Sequence, residues 1–410
     1  RYETRVEEEI TRYQAEIGSI TGNVQIKANG NSAIQNGGKI GTIGNGATLE
    51  ASASVVANTG VTHTRLQKVY LGYNASSAFS TSAGSDGTKD YGFEARTAEI
   101  TSIDNATIRA RTGNSAIDNG GLIGSISNSN ISAAGNVAIN NASNVMTARK
   151  VYKDDALTTE YALNELFDAF FVKDLTTKTY TIVAGSTAPN RIDTYAKVPT
   201  ITTIGAGNTI TAAKQAINNR GEITNIAGSE NGKTSIVATS TAKDAMAIYN
   251  ASALCGKVTV KDGVSVSGDY KTAAHIGKLE YLNISAVYRG IQNGDGGSYL
   301  NVIDEIGVGV VVTSTNSNAV YNASQNAQIK SISGGVYTAQ TSGQCAVNNA
   351  NTTYAISISN GDFKGGTSDR AHAISDPDNT ARQTYPAGYT LSGVTRSVTV
   401  NGTAADGYYF

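Results

Sequence analysis

The chain of 410 residues contains no tryptophan and only 7 phenylalanines, so large apolar side chains for a globular core are scarce. Small residues are abundant instead: there are 44 glycines, and hydrophobic residues make up 40% of the chain. This composition predicts a thin core of stacked valine, isoleucine and alanine. It suits an elongated repeat fold, in which each unit packs only on its neighbours. The absence of tryptophan also removes the usual platform for stacking sugar rings.

An excess of charge of one sign is missing as well. The 32 Lys and Arg balance 33 Asp and Glu, and only 16% of residues are charged. This balance excludes a basic nucleic-acid-binding surface and an acidic tail as descriptions of the whole chain.

Long apolar runs are also lacking. The longest clear run, Ile306 to Val312, has seven residues and predicts a buried strand, whereas a membrane span needs about 18. We therefore expect no membrane span.

The sequence repeats itself over long distances. The stretch 31–45, which begins Asn-Ser-Ala-Ile, returns at 114–128 with an offset of 83 residues. A looser third copy begins at Ile201. The three copies indicate modules of common origin.

A shorter unit, the tetrad Ala-(Ile/Val)-x-Asn, lies beneath these copies. Steps that look like single repeats are 22, 27 or 31 residues long. Repeats of ~20–50 residues indicate a solenoid, a propeller or an array, because one unit cannot bury its own apolar face. The tetrads begin at Ala33, Ala116, Ala138, Ala216, Ala247, Ala319 and Ala346, with a degraded copy at Ala373.

Within each step, apolar and polar residues alternate in short runs such as Val24–Ala28 and Lys39–Ile43, which predict strands. Asn-Gly, Gly-Gly and Gly-Asn pairs separate the runs and supply corners with positive φ. One step therefore holds about three strands and three corners, as a coil of a parallel β-helix does. A propeller blade of ~40–45 residues with four antiparallel strands fits less well. The predicted fold class is all-β, a parallel β-helix (β-solenoid).

Consecutive coils of such a helix lie ~4.8 Å apart, so equivalent residues stack on one another. The tetrad asparagines would share one corner, where stacked amides hydrogen-bond from coil to coil. The tetrad Ile or Val is expected to point into the core, in alternation with the preceding Ala. The predicted ladder consists of Asn36, Asn119, Asn141, Asn219, Asn250, Asn322 and Asn349.

Interruptions of the pattern divide the predicted solenoid into two lobes. The first residues are charged and carry apolar positions at helical spacing up to Ile17, which predicts a helical cap on the first coil or an arm that docks on a neighbouring subunit. The predicted divisions are a cap or arm at 1–18, a first lobe at 19–152 with a long loop at 71–99, a helical insertion and linker at 153–200, a second lobe at 201–384 and a tail at 385–410.

The predicted insertion helix, 153–172, has an apolar stripe that must be buried on the solenoid or on another molecule. Phe167, Phe170 and Phe171 are its candidates for a subunit contact.

Cys255 and Cys345 lie 90 residues apart, which in coils of this length separates them by ~15–19 Å along the axis. A disulfide needs Cα atoms within ~7 Å, so an intrachain bridge is disfavoured. The two thiols are either candidates for disulfides between subunits or buried apolar groups.

No motif indicates a cofactor or a metal, because His63, His275 and His372 are dispersed and lack zinc-ligand spacing. β-Helix enzymes that cut polysaccharides need grouped carboxylates. The best pairs here are Asp304 with Glu305 and Asp376 with Asp378, and neither recurs at coil spacing. A solvated corner explains both pairs more simply. We predict no catalytic, cofactor-binding or metal-binding residue and expect that the chain is not an enzyme.

The run from Gly30 to Ile43, Gly-Asn-Ser-Ala-Ile-Gln-Asn-Gly-Gly-Lys-Ile-Gly-Thr-Ile, and its partners resemble the Gly/Asn repeats of bacterial autotransporter passengers and related adhesins. The resemblance implies a right-handed β-helix outside the cell, although no C-terminal membrane barrel is present in this sequence. In composition and repeat type the chain also resembles proteins that tile cell envelopes, such as the sheath proteins of filamentous methanogenic archaea and surface-layer proteins.

From these features we expect an extracellular or cell-surface structural protein that assembles with copies of itself into a sheath, layer or fibre. Unprotected strand edges at the ends of a solenoid template the addition of another chain. The sequence begins at Arg1 without a signal peptide, as a chain does after export and processing. The alternative is an adhesin or phage-type receptor-binding fibre, and a polysaccharide-active β-helix enzyme is third.

Overall fold

The structure, a computed structural model, describes residues 15–59, 98–142, 199–251, 274–295, 300–323, 325–351, 353–366 and 373–375. All regular secondary structure among these residues is β-strand, which confirms the all-β prediction. Beyond these ranges the structure describes the backbone of the strands Val61–Thr64, Lys68–Tyr70, Thr88–Asp90, Phe93–Arg96, Thr147–Val151, Phe171–Asp174, Thr179–Ile182, Arg191–Ala196, Lys257–Lys261, Val264–Val266 and Ser397–Val400.

Ten successive coils, numbered here 1 to 10 in chain order, form a parallel β-helix with three strands per coil. Equivalent strands of neighbouring coils pair in parallel and make three ladders. The first-ladder strands are Glu16–Thr21, Lys39–Gly44, Glu99–Asp104, Leu122–Ser127, Thr200–Ile204, Glu222–Ala227, His275–Glu280, Asn301–Ile306 and the first parts of Ala327–Ala339 and Ser357–Lys364.

The other two ladders complete the coils. The second-ladder strands are Gln25–Ala28, Thr48–Ala51, Thr107–Ala110, Asn130–Ala133, Thr209–Ala212, Thr234–Ala238, Leu282–Ala286, Val311–Ser314 and the later parts of the two long strands. The third-ladder strands are Ile34–Asn36, Val56–Asn58, Ser115–Asn119, Val137–Asn141, Gln215–Asn219, Met246–Asn250, Arg289–Asn293, Val320–Asn322, Val347–Asn349 and Ile374–Ser375.

The register places side chains of the same type directly above one another, so the core consists of aliphatic columns. Inward residues of the third ladder are all Ile or Val, and both Ile117 and the preceding Ala116 are fully buried. The expected alternation of that alanine to the surface is therefore wrong. One first-ladder column consists of Ile17, Ile40, Ile100, Ile123, Ile201, Ile223, Ile276, Ile303 and Ile329.

The corners between the first and second ladders use the left-handed backbone region, as the Asn-Gly pairs predict. Asn45 and Gly46 have φ of 51° and 92°. The run Ile306 to Val312 crosses such a corner, because Gly309 has φ of 70° and separates two strands. The prediction that this run forms one buried strand is wrong, since the positive φ turns the chain between Ile306 and Val311.

Three insertions leave the solenoid, each directly after the asparagine that ends a third-ladder strand: Asn58, Asn141 or Asn250. In the first, Val61–Thr64 pairs antiparallel with Phe93–Arg96, so the predicted loop at 71–99 contains strands. In the second, Arg191–Ala196 pairs antiparallel with Lys257–Lys261 of the third. The sequence predicts the first insertion as a long loop at 71–99 and the second as helical, and it does not predict the third.

The ladders continue without a break across the predicted boundary between two lobes. Ile123 of coil 4 faces Ile201 of coil 5, and Ile139 faces Ile217 in the third ladder. The described coils thus form one solenoid. The predicted helices mostly lie outside the described residues, but Glu16–Thr21 and Phe171–Asp174 are strands, so neither helix extends that far.

Replacing Ile123 with alanine should lower the free energy of unfolding by about 2–5 kcal/mol, because it opens a cavity in a filled column. The same substitution at Ile17, which occupies the equivalent position in coil 1 but is half exposed, should cost clearly less. Chemical denaturation of the two variants at one protein concentration tests this. Equal losses would contradict the column description of the core.

Candidate functional site

A row of buried asparagines runs along the corner that follows the third ladder, and it contains all seven residues of the predicted ladder. The side-chain Nδ2 of every member but the last donates to the Oδ1 of the asparagine in the next coil, at 2.7–2.9 Å. The described row, in order, is Asn36, Asn58, Asn119, Asn141, Asn219, Asn250, Asn293, Asn322 and Asn349.

Two members, Asn58 and Asn293, do not match the tetrad pattern, because Val55 and Gly290 stand where the tetrad has alanine. The glycine has a steric cause, since a Cβ on Gly290 would lie 2.2 Å from Cγ1 of Val312. The repeat spacing does indicate Asn58 as a member, because it follows Asn36 by 22 residues, the same step as from Asn119 to Asn141.

The same amides hold the turn into the next coil. The Oδ1 of Asn119 accepts from the backbone N–H of Gly121 at 3.2 Å, and its Nδ2 also donates to the carbonyl of Thr200 at 3.1 Å. A Cβ on Gly121 would lie 2.1 Å from the carbonyl oxygen of Ala98. The second glycine of the Asn-Gly-Gly motif is therefore required by close approach of coils, and not by a positive φ.

A chain of alternating charges crosses the first ladder from coil 6 to coil 9. Both carboxylate oxygens of Glu222 lie 2.8–2.9 Å from Nδ1 of His275. Nε2 of His275 donates to Oδ2 of Asp304 at 2.9 Å, and Nζ of Lys330 lies 2.6 Å from Oδ1 of Asp304. We call these four residues the charge chain. It ties four successive coils together on a partly exposed face.

The contacts shift the pKa values of His275 and Asp304 toward their ionised forms. The hydrogen bond to Glu222 raises the pKa of His275 most, burial opposes the shift and Asp304 adds to it, so that the pKa rises to about 9. Burial raises the pKa of Asp304, but hydrogen bonds from Lys330 and His275 outweigh it, and the net pKa lies below its ordinary value. At neutral pH His275 is therefore protonated and positive, and Asp304 is negative.

The candidate carboxylate pair Asp304 and Glu305 does not form a free acid/base pair. Asp304 belongs to the charge chain, while Glu305 accepts from Ser333 at 2.5 Å and lies 3.5 Å from Nζ of Lys278. Each carboxylate is thus held by its own cation. Asp376 and Asp378 lie outside the described residues. Within the described part of the chain, no group of three or more His, Cys, Asp or Glu is arranged to hold a metal ion.

A second polar cluster lies on the outer side of the third ladder in coils 7 and 8. The guanidinium of Arg289 lies 4.0 Å from the ring centroid of Tyr321 and 4.8 Å from that of Tyr288. It also donates to Oε1 of Gln292 at 2.5 Å. Cation–π contacts of this kind stabilise the cluster. Tyr288, Arg289 and Gln292 are close in sequence, but Tyr321 belongs to the next coil and only the register brings it to Arg289.

The edge of coil 1 exposes side chains that are core residues in every later coil. Ile17 is 50% exposed, whereas Ile40, which stacks directly on it, is 1% exposed. Ile20 and Ile26 are partly buried, although the residues that follow them in their columns, Ile43 and Leu49, are fully buried. The outermost described strands of this coil pair with coil 2 on one side only.

The other end of the solenoid is closed in part. Ser397–Val400 pairs antiparallel with Gly361–Lys364, on the edge of coil 10. Beneath it the rings of Tyr337 and Phe363 stack at 5.0 Å with 6° between their planes, and both are buried. These two aromatics occupy the column that Ile, Leu and Val fill in the other coils.

The remaining predicted site residues are placed as follows. Cys345 is 6% exposed in coil 9, so its thiol packs in the core, which argues against the predicted link between subunits through this residue. Cys255, Phe167 and Phe170 lie outside the described residues. Phe171 begins a strand whose side chains are not described.

Comparisons of the chain with protein-family models, with curated proteins and with solved structures yield no match. The fold is therefore established by the strand pairing alone. None of the described residues belongs to a helix with the length and apolar character needed to cross a membrane.

Replacing Asn219 with alanine should lower the free energy of unfolding by about 1–3 kcal/mol, because buried partners in coils 4 and 6 lose a hydrogen bond. The matched control is Asn130→Ala, which removes an exposed amide and should change stability by less than ~0.5 kcal/mol. Urea denaturation measures both. A loss at Asn219 no larger than that at Asn130 would refute the stabilising role of the ladder.

The contribution of His275 to stability should depend on pH. The histidine pKa is ~6.5 in the unfolded chain and about 9 in the folded one, so the stabilisation is complete below ~6.5 and is lost as the pH rises through 9. The difference in unfolding free energy between wild type and His275→Gln should therefore shrink between these pH values.

The control for this measurement is Lys27→Gln, which removes one partner of the surface pair Lys27–Glu50. Because this substitution leaves His275 and its partners unchanged, the effect of Lys27→Gln should be constant across the window. A constant difference for His275→Gln as well would show that the charge chain does not hold the imidazole in its protonated form.

Proposed function

We propose that the protein is a structural protein of the cell exterior, which assembles with copies of itself into a sheath, layer or fibre. The observation that carries the proposal is the edge of coil 1, where Ile17 is half exposed and its strand has no neighbour on one side among the described residues. A long flat edge with apolar side chains templates the addition of another strand.

The register of the solenoid makes this edge a good acceptor. Columns of Ile, Leu and Val run along the solenoid and reach the edge at Ile17, Ile20 and Ile26. Another copy that stacks there extends the columns and removes these side chains from water, at ~25 cal/mol per Å² of apolar surface. The chemistry of the described face supports structure over catalysis, because Asp304 and Glu305 are both held by cations.

The cluster around Arg289 favours the second candidate function, an adhesin or receptor-binding fibre. Tyr288 and Tyr321 place two aromatic rings beside Arg289 on an outer face, a composition that suits a binding surface. Arg289 already contacts both rings, however, so part of this surface is used within the chain. The edge of coil 1 has no such internal partner in the described structure.

Ile17→Lys should weaken self-association at least about tenfold, because it places a charge in an apolar contact. Sedimentation velocity over a concentration series measures the effect. The matched control is Val336→Lys, which adds the same charge at a valine that is 42% exposed in coil 9, away from the edge, and should leave association unchanged.

Two results would contradict the proposal. Wild-type protein that stays monomeric at high concentration would show that the edge does not assemble. Equal weakening by Ile17→Lys and Val336→Lys would show that association depends on net charge and not on this edge.

A further inference from the structure

We infer that Asn360 is a site of spontaneous modification, at which the backbone nitrogen of Gly361 attacks the side-chain amide and converts the asparagine to aspartate and isoaspartate. The site is independent of the proposed function. What distinguishes it is the way in which the fold holds the Asn-Gly pairs of this chain.

An Asn-Gly pair offers this reaction the least steric resistance, because glycine has no Cβ beside the attacking nitrogen. Attack requires the nitrogen to come within ~3–3.5 Å of Cγ, and to leave any hydrogen bond that it makes elsewhere in the fold. The partners of the glycine N–H and of the amide therefore decide which pair reacts. The sequence contains eight pairs, and those in the described part of the chain begin at Asn29, Asn36, Asn45, Asn119, Asn231, Asn293 and Asn360.

In four of these pairs the glycine N–H donates to a backbone carbonyl, at 2.8–3.1 Å. In three of the four the acceptor belongs to a neighbouring coil, as where Gly46 donates to Asn105. Ring closure would break this bond and leave the acceptor without its donor. The four glycines are Gly46, Gly120, Gly232 and Gly294.

In two further pairs another coil holds the side-chain amide. The Oδ1 of Asn29 accepts from Nη2 of Arg111 at 3.0 Å. The Nδ2 of Asn36 donates to the Oδ1 of Asn58 at 2.8 Å, and Asn36 is also buried from water. Each amide must leave its partner before it can turn toward the nitrogen that follows it.

Asn360 is arranged in the opposite way. The N–H of Gly361 donates to the Oδ1 of Asn360 itself at 2.8 Å, so the nitrogen already lies beside the carbonyl group that it attacks. Asn360 is exposed, which gives water access to the amide. The pairing of this strand with coil 9 is irregular at the same point, with register shifts on both sides of Ser333, the partner of Asn360.

The reaction needs only water as a co-reactant. The Gly361 nitrogen forms a bond to Cγ of Asn360, and its proton passes to the amide nitrogen, which leaves as ammonia. The product is a cyclic succinimide. Water then opens the ring at Cγ to give aspartate, or at the main-chain carbonyl to give isoaspartate, in which the backbone runs through Cγ.

The products alter the closed end of the solenoid. Both replace a neutral amide with a carboxylate, and isoaspartate also lengthens the backbone between the two parts of the strand Ser357–Lys364. The pairing of Gly361 with Val400 and the stacking of Phe363 on Tyr337 lie directly after this point. Isoaspartate at position 360 thus shifts the register of the segment that closes coil 10.

Peptide mapping by mass spectrometry tests the inference on the purified full chain, incubated folded at mildly alkaline pH and sampled over time. Asn360 should deamidate at least about tenfold faster than Asn45, because only its glycine nitrogen already lies beside the amide. Asn45 is the matched comparison, since it is also exposed and followed by glycine. The product at position 360 should include isoaspartate, which direct hydrolysis of an amide does not give.

The control is the same time course in urea, where the unfolded chain holds neither pair and the two rates should be nearly equal. Asn360→Gln should abolish the modification at position 360 and leave the rate at Asn45 unchanged, because the longer side chain cannot close the same ring. A rate at Asn360 no greater than that at Asn45 in the folded protein would overturn the inference. Deamidation of Asn360 to aspartate alone would overturn it as well.

Discussion

The buried asparagine that ends nine of the ten described third-ladder strands is the constraint on which the rest of the structure depends. Its amide bonds to coils on both sides, so a coil that slips by one residue leaves buried donors unpaired, at ~1–3 kcal/mol each, and turns its aliphatic residues away from the core. The amide row therefore fixes the register of all three ladders. It also tolerates interruption: Asn58 bonds to Asn119 across 61 residues, and Asn141 to Asn219 across 78.

This constraint explains which features the sequence predicts. A buried amide cannot be exchanged for another residue without loss of its partners, so the tetrad keeps Asn and an aliphatic residue even where the alanine changes, as before Asn58 and Asn293. Coil type, strand positions and most of the ladder follow from that pattern. The insertions do not, because they begin after the amide has closed its turn and obey no coil spacing.

The charge chain lies beyond sequence prediction for a related reason. Glu222 and His275 are 53 residues apart, and the third insertion separates them along the chain. Only the register places them side by side, in coils 6 and 7. His275 is the first residue of its strand after that insertion, so its two carboxylate partners hold the returning chain on the coils before and after it. A histidine without metal-ligand spacing thus has a structural use that spacing alone does not reveal.

The register that stabilises the middle of a solenoid leaves the end residues of each column without a neighbour on one side, where they are exposed unless another segment covers them. At coil 10 the chain supplies such a segment in the second ladder, with an antiparallel strand beside Gly361–Lys364 and a stacked Tyr337–Phe363 pair beneath it. A strand of opposite direction interrupts the parallel repeat and prevents further parallel addition there. At coil 1 the described strands retain the regular pattern up to the last backbone edge, with Ile17 half exposed. A solenoid with one end terminated and the other regular is polar, and its regular end is the one that favours contact with another molecule.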